Sequence, residues 1–303
     1  MPMDALAGWL SRSTFTWPVA AALIGLVVGS FLNVVIHRLP RMLEDQWRRD
    51  CTEFMTNTGG APDDAVSDPG DTSLPFNLMR PRSHCPQCQA PIAWKHNIPV
   101  LSYLVLRGRC AHCHRSISPR YPAVELACAG LFYLCAVRWG VSVTALAWSG
   151  FCAALLALAV IDWDTTLLPD DITLPLMWLG LLVATLGWNP GVNPSDAVWG
   201  AALGYGSLWL VYWVFKRITG KEGMGYGDFK LLAALGAWLG WAALLPVVLM
   251  ASLLGAGVGL VLKWRGGLRE GVYVPFGPFL AAAGFTALFW GPQIIFPSLG
   301  LAP

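Results

Sequence analysis

The sequence predicts an all-α polytopic membrane protein. Of its 303 residues, 55% are hydrophobic and 13% are charged, and the mean hydropathy is +0.54. Soluble domains carry a charged share of about 25%. Apolar runs close to the ~20 residues that span a bilayer recur along the chain. We expect about eight transmembrane helices, at roughly 15–37, 122–142, 144–161, 172–188, 196–215, 229–243, 244–262 and 274–297.

The first apolar run is expected to remain in the protein as a helix. Its preceding segment carries one cation, Arg12, and one anion, Asp4, and the run continues to His37 without a clear small-residue cleavage site. Secretory signal peptides combine a positively charged start with such a cleavage site. We therefore treat this segment as a transmembrane helix and not as a signal peptide.

The distribution of apolar and polar residues divides the chain into three parts. Residues 1–37 hold the first transmembrane helix, 38–121 form a large polar loop, and 122–303 form a transmembrane domain. Within the loop, about 41–75 is rich in turn and linker residues, so we expect it to be flexible. The turn between the sixth and seventh helices is expected between Gly240 and Pro246.

Positive charge predicts how the chain is oriented in the membrane. With the N-terminus outside and eight helices threaded, eighteen of the 20 Lys and Arg residues lie on the inner side. Cytoplasmic loops of membrane proteins are enriched in these residues. We therefore expect the 38–121 loop to be cytoplasmic and both termini to be periplasmic.

Two C-x-x-C pairs in this loop predict a metal site. Cys85 and Cys88 form one pair, Cys110 and Cys113 form the other, and 21 residues separate them. Four thiolates complete a tetrahedral zinc shell of the closed, structural kind. Disulfides or free thiols are the alternative, and a cytoplasmic location disfavours disulfides. Three nearby histidines could replace a thiolate but are expected at the surface: His84, His112 and His114.

Acidic residues at the ends of two apolar runs predict a catalytic site. Asp228 begins one run, and Asp162 and Asp164 end another. An ionisable side chain in a membrane costs about 3 kcal/mol or more at the centre. The expected threading brings both acidic sites to the cytoplasmic side. Because residues two apart on a helix point in roughly opposite directions, only one of Asp162 and Asp164 should face Asp228.

Each acidic residue also has a structural interpretation. Asp162 and Asp164 could be solvated carboxylates at the membrane interface, and Asp228 could cap the helix that follows it. Asp170 and Asp171 are expected to cap the next helix, because they follow Pro169 and precede an apolar run.

Three glycines precede Asp228: Gly223, Gly225 and Gly227. Glycine permits unusual backbone conformations and the close approach of another chain. We expect Gly225 and Gly227 to lie beside a bound substrate. A dinucleotide-binding loop is not expected, because no strand precedes these glycines and their spacing is too short.

Together these motifs resemble the type IV prepilin leader peptidase/N-methyltransferase family of GxGD aspartyl proteases. Residues 225–228 match its G-x-G-D motif, and 162–170 match its other aspartate block, in which the spacing to Leu168 selects Asp162. Further matches are the two C-x-x-C pairs and three short blocks, at 29–40, at 120–125 including Glu125, and at 275–278. The likeness covers nearly the whole chain except about 55–75.

The resemblance implies a function at the bacterial inner membrane. It implies that Asp162 and Asp228 cleave the basic leader from type IV prepilins and type II secretion pseudopilins. It also implies methylation of the new N-terminal amine with S-adenosylmethionine. The Cys loop and the block at 29–40 could contribute to methylation or only shape the fold. Membrane lipid is the other expected partner.

Other functional classes are weighed against this resemblance. An aspartyl protease without methylation is disfavoured by the four loop cysteines, and a proton-coupled transporter by the lack of matching broken-helix halves. A zinc-dependent assembly factor that binds nucleic acid is also disfavoured. The loop has 11 cations against 8 anions and no interleaving of aromatic and basic residues, so no nucleic acid is expected.

Overall fold

The computed structural model describes residues 16–57, 77–80, 82–85, 87–93, 96–221, 223–264 and 274–291. These ranges contain α1 (Thr16–Asn57), α2 (Leu101–Val105), α3 (Arg120–Trp139), α4 (Val143–Thr165), α5 (Asp170–Thr185), α6 (Pro194–Thr219), α7 (Tyr226–Leu239), a 3₁₀ turn (Trp241–Ala243), α8 (Leu244–Trp264) and α9 (Gly277–Trp290). No β-strand occurs in them, and extended pairing is limited to two isolated bridges. The expected all-α polytopic class is confirmed.

Among the residues that the structure describes, five helices are long and apolar enough to cross a membrane: α1, α3, α4, α6, and α8 with its preceding 3₁₀ turn. Helices α5, α7 and α9 have 16, 14 and 14 residues. At 1.5 Å per residue they measure about 21–24 Å, less than the ~30 Å hydrocarbon core. The expected count of about eight spans is therefore not confirmed, although a helix lies in each expected segment.

Helix α1 extends well beyond its apolar run. Its last residue is Asn57, whereas the sequence pattern places the end of the first helix at 37 and flexible chain at about 41–75. The structure corrects this expectation over 41–57, which are helical. Residues 58–75 lie outside the described ranges.

Local chemistry explains this extension. Residues 41–57 contain neither Gly nor Pro, and charged residues recur four positions apart, as in Asp45 and Arg49. Such pairs stabilise isolated helices by about 0.2–0.5 kcal/mol each. Arg49 Nε also donates to the Asp45 carbonyl oxygen at 3.3 Å. The polar composition of this stretch therefore marks an exposed helix face rather than a flexible linker.

The chain divides into two compact units. One comprises Leu23–Ala129 and is called the N-terminal unit below; the other comprises Met1–Ala22 with Gly130–Pro303 and is called the bundle unit.

Helix α7 lies in the core of the bundle unit. Its side chains from Leu231 to Trp238 are all buried. Trp238 Nε1 donates to the Leu176 carbonyl oxygen of α5 at 2.8 Å, and Asn189 Nδ2 donates to the Trp238 carbonyl oxygen at 2.8 Å. These bonds satisfy polar groups that would otherwise be buried without a partner.

Small residues let α6 and α7 approach closely. A methyl group added at Gly200 would overlap the carbonyl group of Gly236, and the reverse is also true. One turn later, a methyl group at Gly204 would lie 2.6 Å from the Leu232 carbonyl oxygen. Small residues at helix interfaces allow such backbone contact in membrane proteins.

Gly240 ends α7 with a φ of 79°, a conformation that favours glycine. The 3₁₀ turn follows, and α8 begins at Leu244. The expected turn between Gly240 and Pro246 is confirmed.

Candidate active site and metal centre

Asp162 lies in the last turn of α4 and is buried, with 4% of its surface exposed. Its Oδ2 accepts a hydrogen bond from the backbone N–H of Gly277 at 2.9 Å. Asp164, two residues later, is exposed. The helix therefore turns the two carboxylates to different environments, as their spacing predicts. Of the two, Asp162 is the one that lies inside the bundle unit.

Asp228 occupies the third position of α7 and is 8% exposed. The N-cap position belongs to Gly225, whose carbonyl oxygen accepts from the Asp228 backbone N–H at 3.3 Å. The Gly225 amide in turn interacts with the Asp228 carboxylate. This is one half of a capping box, in which the side chain at the third helical position reaches back to the N-cap amide; Gly225 has no side chain to supply the other half. Asp228 thus stabilises the helix start, although it is not the N-cap residue.

The two buried carboxylates come from different helices and interact electrostatically. Leu168, which follows α4, packs at the same place. A methyl group at Gly227 would lie 2.8 Å from Leu168 Cβ, and one at Gly277 would lie 3.3 Å from Leu168 Cδ2. The end of α4 and the starts of α7 and α9 therefore meet around Asp162 and Asp228.

The glycines before Asp228 do not use unusual backbone angles. None of Gly223, Gly225 and Gly227 has a positive φ, so the backbone freedom that glycine permits is not used at these positions. Close packing explains two of them: a methyl group at Gly223 would lie 2.8 Å from Phe215 Cε1, and Gly227 contacts Leu168. A methyl group at Gly225 would meet nothing within 4 Å. The role of Gly225 and Gly227 beside a substrate stays a prediction.

Two features of this site were not predicted. The 275–278 block was recognised as a motif, but its sequence does not show that Gly277 binds Asp162. Asp170 was expected to cap α5, yet the N-cap is Pro169 and makes no side-chain cap. Asp170 instead pairs with Lys230 of α7 at 2.7 Å. No short-range sequence pattern predicts contacts between residues so far apart in the chain.

The four loop cysteines form one cluster. The sulfur atoms of Cys85, Cys88, Cys110 and Cys113 all lie within 4.8 Å of one another, and Cys85 and Cys113 are 3.8 Å apart. In a tetrahedral site with Zn–S bonds of about 2.3 Å, the sulfur atoms are about 3.8 Å apart. The donor set therefore fits a closed zinc shell.

Two turns with the same hydrogen bonds present these thiols. In the first, the Cys85 N–H donates to the Ala90 carbonyl at 3.0 Å, and Gln89 has a φ of 57°. In the second, the Cys110 N–H donates to the Arg115 carbonyl at 2.8 Å, and His114, which corresponds to Gln89, has a φ of 56°. We call these two turns the knuckles. The three histidines considered as alternative ligands are exposed.

Backbone N–H groups shift the pKa values of these thiols. The N–H groups of Cys88 and Gln87 lower the pKa of Cys85 to about 6. Those of Cys113 and its neighbour lower the pKa of Cys110. The Ala90 N–H acts in the same direction on Cys88, but burial and the adjoining thiols outweigh it and raise the pKa of Cys88 to about 11. Because thiolates are the metal-binding form, backbone N–H groups that lower a thiol pKa favour metal binding.

Two family models match this chain. Residues 23–139 match the Bacterial Peptidase A24 N-terminal domain, and residues 149–260 match the Type IV leader peptidase family. No solved structure matches the chain.

Several relatives carry the name prepilin leader peptidase/N-methyltransferase. One from Stutzerimonas stutzeri is 46% identical over 94% of this chain and 95% of the relative. One from Burkholderia pseudomallei (strain 1026b) is 52% identical over 94% and 89%. One from Aeromonas hydrophila is 51% identical over 90% of each. With two family domains in order and relatives this similar along almost its whole length, the chain belongs to the type IV leader peptidase family.

Proposed function

We propose that this protein is a prepilin leader peptidase and N-methyltransferase. It removes the basic leader from type IV prepilins and type II secretion pseudopilins at the cytoplasmic face of the bacterial inner membrane. It then methylates the new N-terminal amine. The observation that carries the peptidase activity is the meeting of two buried carboxylates, Asp162 and Asp228, from two helices.

The two carboxylates divide the proton transfers. Neighbouring carboxylates cannot both ionise easily, so the pair shares one proton. The ionised member takes a proton from water, which attacks the carbonyl carbon of the scissile bond. The protonated member donates to the carbonyl oxygen and afterwards helps to protonate the leaving amine. The Gly277 N–H holds Asp162 in one orientation throughout.

The proposed orientation puts this pair on the cytoplasmic side. Basic residues occupy the last turns of α6 (Lys216 and Arg217) and α8 (Lys263). In the threading from the sequence, both of these helix ends face the cytoplasm, together with the end of α4 and the start of α7. A prepilin with a cytoplasmic leader and an apolar helix in the bilayer presents its cleavage site at this level.

Membrane lipid is the proposed surrounding of the bundle. Large apolar side chains point outward on its candidate spans, including Leu146 on α4 and Leu260 on α8, each 72% exposed. Monomeric soluble proteins rarely carry contiguous apolar surfaces of large size.

The cysteine cluster would hold a structural zinc ion. Cys85, Cys88, Cys110 and Cys113 fill all four positions of a tetrahedral shell, which leaves no position for a reacting water. The role of such an ion is to join the two knuckles into one folded piece.

S-adenosylmethionine is the proposed methyl donor and, when bound, would supply the methyl group of its sulfonium sulfur to the new N-terminal amine. The proton lost from the amine passes to water. An α-amino group has a pKa of about 7.7–8.0, so a useful fraction is neutral near neutral pH.

One assay tests both activities. The full chain, purified in detergent, is incubated with a prepilin that has a basic leader, Gly before the cut and Phe after it. We expect mass spectrometry to show leader loss with or without S-adenosylmethionine, and one added methyl group only when it is present. A wild type that leaves the leader uncleaved would reject the peptidase, and proton transport by that protein in liposomes would favour the transporter.

A second substrate separates the activities. Asp228→Asn is expected to leave a prepilin uncut yet to methylate a pilin supplied already cleaved, because methylation does not use the carboxylate pair. If this variant inserts normally but cannot methylate the cleaved pilin, the two reactions share one centre.

A further inference from the structure

The N-terminal unit contains a partly open cavity of about 680 Å³. Small-molecule sites in proteins measure about 300–1,000 Å³. The cavity is lined by one face of α1, by the two knuckles and by the start of α3. Nothing in the peptidase mechanism uses it.

The α1 side of the cavity is polar although the helix is apolar around it. Ser30, Asn33, His37 and Arg41 recur at three- and four-residue intervals, which places them on one helix face. Asn33 is 8% exposed, and its Nδ2 donates to the Tyr121 carbonyl oxygen at 3.1 Å. Burying polar groups costs free energy unless they are hydrogen-bonded. This face is therefore an organised polar wall.

Arg38 adds a buried positive charge beside this wall. It is 7% exposed, and its Nη1 donates to the carbonyl oxygens of Asn77 at 2.9 Å and Leu78 at 3.3 Å. A guanidinium carries five N–H donors in a planar fork. A planar donor fork of this kind suits a carboxylate.

Glu125 on α3 supplies the opposite charge. It is 8% exposed, and its Oε2 accepts from the Val100 N–H at 2.7 Å. Gly29 of α1 makes room for this arrangement, since a methyl group there would lie 2.7 Å from Glu125 Cα. Glu125 is the one acidic side chain among the described residues that line the cavity.

This lining selects a ligand with charges of both signs. Three arginines, Arg38, Arg41 and Arg115, can face an anionic group of the ligand, and Glu125 can face a cationic group. S-adenosylmethionine carries a carboxylate together with an ammonium and a sulfonium, and its size suits the volume. Its hydroxyl and amino groups also match the polar wall of α1.

We propose that this cavity is the S-adenosylmethionine site, with Glu125 facing the cationic part of the donor and Arg38 facing its carboxylate. The inference rests on the proposed N-methyltransferase activity and assigns it to residues of this chain. Cys85 and Cys110 also line the cavity, so the folded knuckles form part of the same wall.

Binding is measured directly by equilibrium dialysis of radiolabelled S-adenosylmethionine against the detergent-purified full chain. We expect Glu125→Gln to raise the Kd about tenfold or more, the effect of losing a hydrogen bond to a charged group. Glu53→Gln is the matched control, because Glu53 is exposed on the same unit and does not line the cavity. Its Kd should equal that of the wild type.

Photochemical cross-linking gives a second readout that needs no variant. Irradiation of the wild type with labelled S-adenosylmethionine should place the label on peptides from 29–41 or 97–125. If Glu125→Gln fails to fold, as judged by its size-exclusion profile and zinc content, the position of the label alone tests whether the donor binds in the cavity.

The outcomes separate the cavity from the activity. Suppose that the wild type methylates cleaved pilin. An unchanged Kd in folded Glu125→Gln, or label on 130–303, would then reject the cavity as the donor site without affecting the proposed methyltransferase activity. A wild type that neither binds the donor nor methylates overturns both.

Discussion

The backbone N–H of Gly277 donates to Oδ2 of Asp162 at 2.9 Å, across 115 positions of the chain. A methyl group at Gly277 would lie 2.6 Å from the same oxygen. Glycine therefore both supplies the amide and leaves room for the carboxylate. The start of α9 thus positions Asp162, although α9 itself carries no ionisable residue.

Gly277→Ala is expected to lower leader cleavage at least tenfold, because the added methyl group displaces the Asp162 carboxylate. A displacement of about 1 Å at a catalytic group can cost on the order of 100-fold in rate. Gly150→Ala on α4 is the control, since a methyl group there meets nothing within 4 Å. Equal activity of both variants, measured by gel shift of prepilin, would show that Gly277 does not position Asp162.

Asp162→Asn and Asp228→Asn are each expected to abolish cleavage while the protein still inserts into the membrane. Each carboxylate has its own proton transfer, which an amide cannot perform. Asp164→Asn should retain most activity, because Asp164 is exposed. An inactive Asp164→Asn beside an active Asp162→Asn would reverse the assignment, and an active Asp228→Asn would reject the aspartyl mechanism.

Elemental analysis of the purified protein should find about one zinc per chain. Changing Cys85 and Cys110 together to Ser should remove it, because two thiolates cannot hold a structural site. Cys51→Ser is the control, as Cys51 is exposed on α1 and outside the cluster. A wild type that contains no zinc and is fully active would contradict the proposal.

Gly200→Ala is expected to destabilise the protein by about 1–3 kcal/mol, because the methyl group overlaps the backbone of α7. Gly206→Ala, on the same helix, meets nothing within 4 Å and should be neutral or slightly stabilising. Thermal unfolding in detergent compares the two. The close crossing of α6 and α7 would be wrong if both variants unfolded at the wild-type temperature.

Short-range sequence patterns determined much of this protein. Each apolar run predicted a helix, and the structure has a helix in each of these segments. Gly240 predicted the break between α7 and α8. The C-x-x-C spacing predicted the knuckles, because two thiols three residues apart are brought together by a single turn. The choice of Asp162 over Asp164 followed from motif spacing, and the burial of Asp162 agrees with that choice.

Tertiary structure decided the remaining features. Which helices are full-length spans depended on where α5, α7 and α9 end within the bundle, and apolar runs alone suggested longer helices. The pairing of Asp170 with Lys230 and of Asp162 with Gly277 joins residues 60 and 115 positions apart. Periodicity describes only neighbours along the chain, whereas the partners of a buried carboxylate are set by which helix ends pack together. The amino-acid sequence therefore indicated which acidic residues to consider, and the packing of α4, α7 and α9 brought them into one site.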